Sequence, residues 1–516
     1  MPLSTLEHYL SYYLRLLLPQ VLSPRASHKL AYIFSLFSAV TSGFIGLISL
    51  YAFPWQLKLN YTSTQVNTIS SIANLGTYLT PPILGIIADT HGPITLSCLA
   101  IAGFIPSYSY LAYLFNNPEI AELESSYTAT ICCFCIIGIS TSALYFSALL
   151  TCTTLYPERK LLSISLPTTC IGISSLIGSQ VLKLDWFWYF DSVHNETYLN
   201  LYKVFKGLSW IYVIIGISAW IATGTVSLIQ FNEEVEKQSN ENLSTDRIDC
   251  NNENLAGEEH DETTALLRPS KSSVSISSAM LATQESRKEM NEIRLPKKSV
   301  FHDPILYLFG FTMLLSLGPL EMFITDMGSL SNILLGNRSH LYANLSSSLI
   351  SMFAMSSTCT RILTGLLSDY LILRGKSLKL ILLPLLSLAL FSQILIVSYS
   401  ETWLLNNELN ESNILILGLL FGCVYGGLFT IYPTIVLTVW GQASFGTAYG
   451  SLMVAPAVGA TISCLQYAHI YDSQCVKNAI SSCIVSVYHL GTFQYTVAML
   501  ITLLILRSWY RRGIKV

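Results

Sequence analysis

Long apolar runs separated by short polar breaks fill most of the chain. Six of membrane length precede residue 231, at about 30 to 52, 67 to 88, 94 to 115, 129 to 152, 162 to 182 and 208 to 230. Six more follow residue 303, at about 305 to 327, 346 to 368, 378 to 399, 413 to 438, 446 to 467 and 486 to 507. At 1.5 Å per residue, each is long enough as a helix to cross a hydrocarbon core of about 30 Å. The pattern predicts an all-α membrane protein of twelve transmembrane helices in two six-helix halves, residues 30–230 and 304–507, with an N-terminal segment 1–29 and a tail 508–516. The runs contain Pro81, Pro82, Pro167, Gly318, Pro319, Pro433 and Pro456, which membrane helices tolerate because neighbours re-satisfy the freed backbone groups.

Two stretches break this pattern. Near the start, Ser4 followed by Glu7 reads as a capping box, and Leu6, Leu10, Leu14 and Leu17 then share one face of a short helix lying along the membrane surface, with membrane lipid as its partner; a frayed tail is the alternative. Between the halves, residues 231–303 turn to Glu, Asn, Ser, Lys and Asp, the composition of a disordered linker. Within it Glu262, Leu266 and Leu267 form an acidic-dileucine pattern, one carboxylate and two apolar side chains offered to the groove of a clathrin-type sorting adaptor.

Composition sharpens the class. Of 516 residues, 52% are hydrophobic and only 11% charged, against about a quarter charged in ordinary soluble proteins. A net charge of -3 gives no reason to expect nucleic-acid binding. Most of the twelve cysteines lie in apolar runs and read as small core residues, while Cys475 and Cys483 share a polar loop and could pair in an oxidising compartment. Arg15, Arg25, Lys29, Arg159, Lys160, Arg374, Lys376, Arg507, Arg511 and Arg512 fall on one side of the twelve-helix arrangement, which makes that side, with both termini, cytosolic. The glycosylation acceptors Asn60, Asn195, Asn337, Asn344 and Asn410 fall on the other side, Asn195 in its longest loop. No catalytic triad, metal-ligand spacing, phosphate loop or nucleotide fingerprint occurs, so the reading disfavours an enzyme and requires neither cofactor nor metal.

Charged residues within the runs are the candidate chemistry. Arg361 stands alone in an apolar segment, where a charge costs about 2.5 to 3.5 kcal/mol and usually faces a bundle interior or a water-filled path. It either binds an anionic substrate bidentately, or neutralises an acid such as Glu321 and holds the bundle together. Glu321 follows Gly318-Pro319, where a broken helix would line a cavity. A carboxylate there suits a proton carrier, unless Arg361 lies close enough to hold it ionised. Asn74, Tyr145 and Tyr425 are polar handles that either touch substrate or hydrogen-bond between helices. Gly85 with Asp89, and Gly365 with Asp369, repeat the same spacing at the ends of two apolar runs, one in each half.

Six helices, a long loop and six helices, with Gly85, Asp89 and Gly92 at the end of the second run and Gly365 and Asp369 at the end of the eighth, resemble the major facilitator superfamily. Thr90, His91, Pro93 and Ile94 stand where that family's loop carries bases. The stretches Leu79 to Gly85, Gly92 to Ser97, Ser140 to Ser147, Ser163 to Thr169, Leu317 to Phe323 and Tyr425 to Thr430 are similar to the yeast vacuolar branch of the monocarboxylate-transporter homologues, fungal facilitators with nodulin-like character. The resemblance implies a major facilitator fold in the vacuolar membrane, a small-molecule substrate, and gating roles for Gly85, Asp89, Gly92, Gly365 and Asp369; for the two aspartates simple solvation is the alternative. The expected function is secondary active transport by rocking of two halves around Arg361 and Glu321, with proton coupling through Glu321. A membrane sensor signalling through the central loop is the rival.

Overall fold

The computed structural model describes residues 4–59, 61–117, 124–191, 196–253, 297–327, 339–406, 411–470 and 485–514. Asn60, Asn195, Asn337, Asn410, Glu262, Leu266, Leu267, Cys475 and Cys483 lie outside them. The first half contains α1 (Thr5–Val21), α2 (Pro24–Ser42), α3 (Ala52–Leu59), α4 (Ser63–Leu79), α5 (Pro81–His91), α6 (Pro93–Asn116), α7 (Glu124–Leu155), α8 (Leu166–Leu182) and α9 (Leu201–Glu253). The second contains α10 (Pro304–Thr325), α11 (Ser339–Leu373), α12 (Lys379–Asn406), α13 (Glu411–Trp440), α14 (Phe445–Leu452), α15 (Val454–Ile470) and α16 (Val485–Arg511).

Among the described residues, ten helical runs are long and apolar enough to cross a membrane. The eleventh span is the pair α4 and α5, bent by 40° where Pro81 and Pro82 follow Thr80; prolines lack the N–H that would carry the helix through. A shorter apolar run starting at Leu161, a π-helical turn leading into α8, occupies the fifth predicted position. In the first half α6 packs on α9 and α4 on α7; in the second, α11 packs on α13, α10 on α15 and α12 on α16. The halves meet where α5 lies against α14, and where α11 lies against the Leu161–Ser165 turn and α8. By the parity of the crossings, Asp89 at the end of the second span and Asp369 at the end of the eighth share the face of the bundle to which the chain's two ends belong, called here the terminal face.

Several local expectations change. A two-stranded antiparallel hairpin, β1 (Trp188–Asp191) with β2 (Glu196–Leu199), adds the only strands among the described residues to an otherwise helical chain. α9 continues past residue 230 to Glu253, into the segment assigned no fold; Glu, Gln and Lys there are good helix formers able to extend a helix already nucleated by an apolar span. α10 is not broken at Gly318-Pro319 but runs unbroken around Pro319, and a Cβ added at Gly318 would meet the Gly459 carbonyl, so the glycine serves close packing against α15. Asn344 falls in the first turns of α11 rather than in the loop before it.

α1 also turns a different face inward. Ser4 caps it by accepting the Glu7 N–H at 3.1 Å. Glu7, Ser11, Leu14 and Leu18 are buried, whereas Leu6 and Leu17, placed by sequence on the same face as Leu14, are exposed. The inward stripe is set by what α9 offers: Leu14 fills the space left by Gly224, and Trp220 Nε1 donates to the Leu10 carbonyl.

Candidate functional site

Arg361 lies on α11, in the second half, and reaches into the first. Its guanidinium Nη1 donates to the Thr168 carbonyl of α8, and its backbone carbonyl accepts from Ser165 Oγ. The side chain is 5% exposed, and its Nε is buried without a hydrogen-bond partner. Gly172, one turn after Thr168, lines the guanidinium: a Cβ there would lie in ordinary contact with it, 3.5 Å from the guanidinium carbon. Two rings of α13 flank the cation, Tyr425 at 5.6 Å and Phe429 at 5.9 Å from ring centroid to guanidinium carbon, within the range of cation–π attraction.

Tyr425 links the two charged candidates. Its hydroxyl donates to Glu321 Oε1 at 3.1 Å while its ring lies under Arg361. Tyr145 of α7 and Tyr449 of α14 lie within electrostatic reach of Arg361, and Tyr78 of α4 within reach of Glu321. Both halves therefore contribute to one cluster: α4, α7 and α8 from the first, α10, α11, α13 and α14 from the second. Of the sequence-based candidates, Arg361, Glu321, Tyr425 and Tyr145 come together. Asn74 stands one helical turn before Tyr78 and is exposed. Sequence reading missed Tyr78, Thr168, Phe429 and Tyr449.

The two Gly-X-X-X-Asp repeats do the same thing from opposite sides. Asp89 accepts from the backbone N–H groups of Gly446 at 3.2 Å and Thr447 at 2.7 Å, at the start of α14 in the other half. Asp369 accepts from the N–H of Lys160 and from that of Leu161 at 3.2 Å, where the helical turn before α8 begins. Each carboxylate thus caps a helix start across the boundary between halves, where orphan donors and the helix dipole favour negative charge. The glycine four residues earlier permits the approach: a Cβ at Gly85 would collide with the Gly446 carbonyl, and one at Gly365 with the Ser165 side chain. Gly92, at φ +76°, turns the chain from α5 into α6. Lys160, 9% exposed, donates through Nζ to the Pro157 carbonyl at 2.9 Å. Burial lowers its ammonium from the ordinary 10.5 to about 8, against the pull of Asp369 and Glu158.

Comparison with known proteins places this architecture. The Major Facilitator Superfamily profile matches residues 32–463. A Saccharomyces cerevisiae protein named "Probable transporter MCH1" is 49% identical, with all of both chains covered. A Candida glabrata protein of the same name is 47% identical over 99% of each. Among solved structures, the proton:xylose symporter XylE bound to 6-bromo-6-deoxy-D-glucose shares the fold with a TM-score of 0.62 at 11% identity, covering 93% of this chain and 95% of that one. The family is one of multi-pass membrane transporters rather than enzymes. With a profile match across most of its length and full-length relatives near half identity, the chain belongs to the major facilitator superfamily.

Proposed function

We propose that the chain is a secondary transporter carrying a small anionic solute across the vacuolar membrane by alternating access, with Arg361 as the anion's anchor and Glu321 as the proton-coupling group. The carrying observation is the Arg361 contact across the two halves. A buried cation donated by one half rests on a backbone carbonyl of the other, with one guanidinium nitrogen left over. An anion offers that cation a stronger, charge-assisted partner than a neutral carbonyl does. Binding it would draw Arg361 off Thr168, and so loosen one contact between halves at the moment the site is filled. Tyr425 carries the change to Glu321, because its ring lies under the cation and its hydroxyl is on the carboxylate.

The vacuolar assignment rests on the sequence resemblance and on the dileucine residues Glu262, Leu266 and Leu267; the cytosolic placement of the terminal face rests on its basic residues. The relatives' name, "Probable transporter", supports transport without naming a solute.

Isolated vacuoles from cells with and without the chain test the reading. At least one small acidic solute changes in amount, and in reconstituted vesicles that solute moves together with protons. Glu321→Gln retains solute movement down its gradient but loses the proton flux that accompanies it. An unchanged solute inventory with the protein present in the membrane overturns transport, and unchanged proton flux in Glu321→Gln overturns the coupling role alone.

A further inference from the structure

The α5–α6 turn lacks the bases that the family pattern places there, and the structure puts an acid from elsewhere against it. Glu7 is 4% exposed, on a helix whose outer face leaves Leu6, Tyr9, Tyr13, Leu16 and Leu17 open. Its Oε1 accepts from Ser227 Oγ of α9 at 2.8 Å. The carboxylate also abuts Gly92, where an added Cβ would collide with it. Gly92 is at once the last cap of α5 and the first of α6, and provides no side-chain cap to α6. A carboxylate at that spot faces the positive end of a 24-residue helix, where negative charge is stabilising.

Burying a carboxylate is expensive unless it is well partnered. A lipid-facing surface helix has no need of one on its inner stripe. Glu7 is therefore out of place as packing and in place as a brace. Behind it, α1 is fixed to α9 through Leu14 on Gly224, Trp220 on the Leu10 carbonyl, and Arg15 over the Phe231 ring at 4.9 Å. Ahead of it, Gly92 is three residues beyond Asp89, whose carboxylate reaches α14 of the other half.

We infer that Glu7 is a positioning residue of the contact between halves: α1 braces the α5–α6 turn from outside, and the reach of Asp89 to the Gly446 and Thr447 amides depends on that brace. This inference rests on the reading of Asp89 as a gate residue. A negative charge supplied from the N-terminal helix of the same chain does the work of holding the turn.

Hydrogen exchange of the full-length protein in lipid nanodiscs provides the test. Glu7→Ala accelerates exchange at the Gly446 and Thr447 amides by about tenfold or more, as expected when a local closing contact is lost. The Leu161 amide, held by Asp369, is unaffected. Glu7→Gln keeps an acceptor for Ser227 but loses the charge; it gives a smaller acceleration at the same two amides and carries the test alone if Glu7→Ala does not fold. Faster exchange confined to residues 4–22 and 92–97, or none, overturns the inference and leaves Glu7 an ordinary anchor of α1. Asp89→Asn separates the two readings. If it fails to accelerate exchange at Gly446 and Thr447, the gate reading falls and this one with it; if it does so while the Glu7 variants do not, only this one falls.

Discussion

Replacing Arg361 with methionine is expected to leave a folded, membrane-inserted protein whose solute flux has fallen by about a hundredfold, the equivalent of losing one charge-assisted contact of about 3 kcal/mol. Methionine is the informative choice. It fills much of the arginine's volume between Tyr425, Phe429 and Gly172, and an apolar replacement of a buried charge is often neutral or stabilising for the fold. If Arg361 only held the halves together, the methionine variant would transport at a rate within about twofold of the original, because packing alone would substitute for it. Arg361→Lys refines the result. It keeps the charge but not the planar fork with which a guanidinium would grip an anion through two nitrogens. A raised KM with a nearly unchanged maximal rate is expected for lysine, and loss of both for methionine. Flux measured in vesicles at matched protein density, beside the melting temperature of each purified variant, separates binding from stability.

How much of this was legible in the chain depends on which atoms do the work. Hydropathy placed the ten long apolar helices, the α4–α5 pair and the shorter run from Leu161, but read the pair as one unbroken span; the 40° bend at Thr80 comes from Pro81-Pro82, prolines taken only as tolerated. The repeat of Gly85 and Asp89 as Gly365 and Asp369 was visible as a pattern, because it depends on side-chain identity. Its partners were not. Asp89 and Asp369 bind backbone N–H groups, which nearly every residue carries, so nothing in the letters at 446, 447, 160 or 161 announces them. The same holds for Thr168, which meets Arg361 through its carbonyl. Tyr78 escaped because a tyrosine in an apolar helix looks like packing until its helix is placed opposite Glu321. Glu7 was read as half of a capping box, a local role consistent with its spacing from Ser4; only the fold of α1 onto α9 turns its carboxylate toward Ser227. The polar composition after 230 hid the continuation of α9, since low hydrophobicity argues against a packed core but not against a helix already nucleated.

The paired caps make the second large prediction, that Asp89→Asn together with Asp369→Asn opens the terminal face. Each aspartate caps a helix start in the opposite half, and asparagine keeps an acceptor oxygen while removing the charge that the helix dipole favours. At about 1 kcal/mol for each lost charge, the pair shifts the balance between the contacting and parted states by roughly thirtyfold. Either single variant should give roughly the square root of that shift, because the two contacts lie on different helix pairs and act independently. Spin labels at the exposed positions 90 and 376, in a background with the native cysteines replaced, read the change as a longer distance between halves. Lys160 adds a pH dependence whose sign is fixed by its lowered pKa. Between about 8 and 10.5 the buried ammonium of the contacting state has lost its proton, while a solvated lysine in the parted state keeps it. The parted state binds more protons over that window, so raising the pH favours contact. From pH 7 to pH 9 the ratio should move about tenfold toward contact, with Asp369 and Glu158 the acids facing the titrating group. Lys160→Met should abolish this dependence and favour contact at pH 7. A distance that is independent of pH in the original chain, or a double asparagine variant with unchanged separation, would mean that the two aspartates merely decorate helix ends that other packing already holds together.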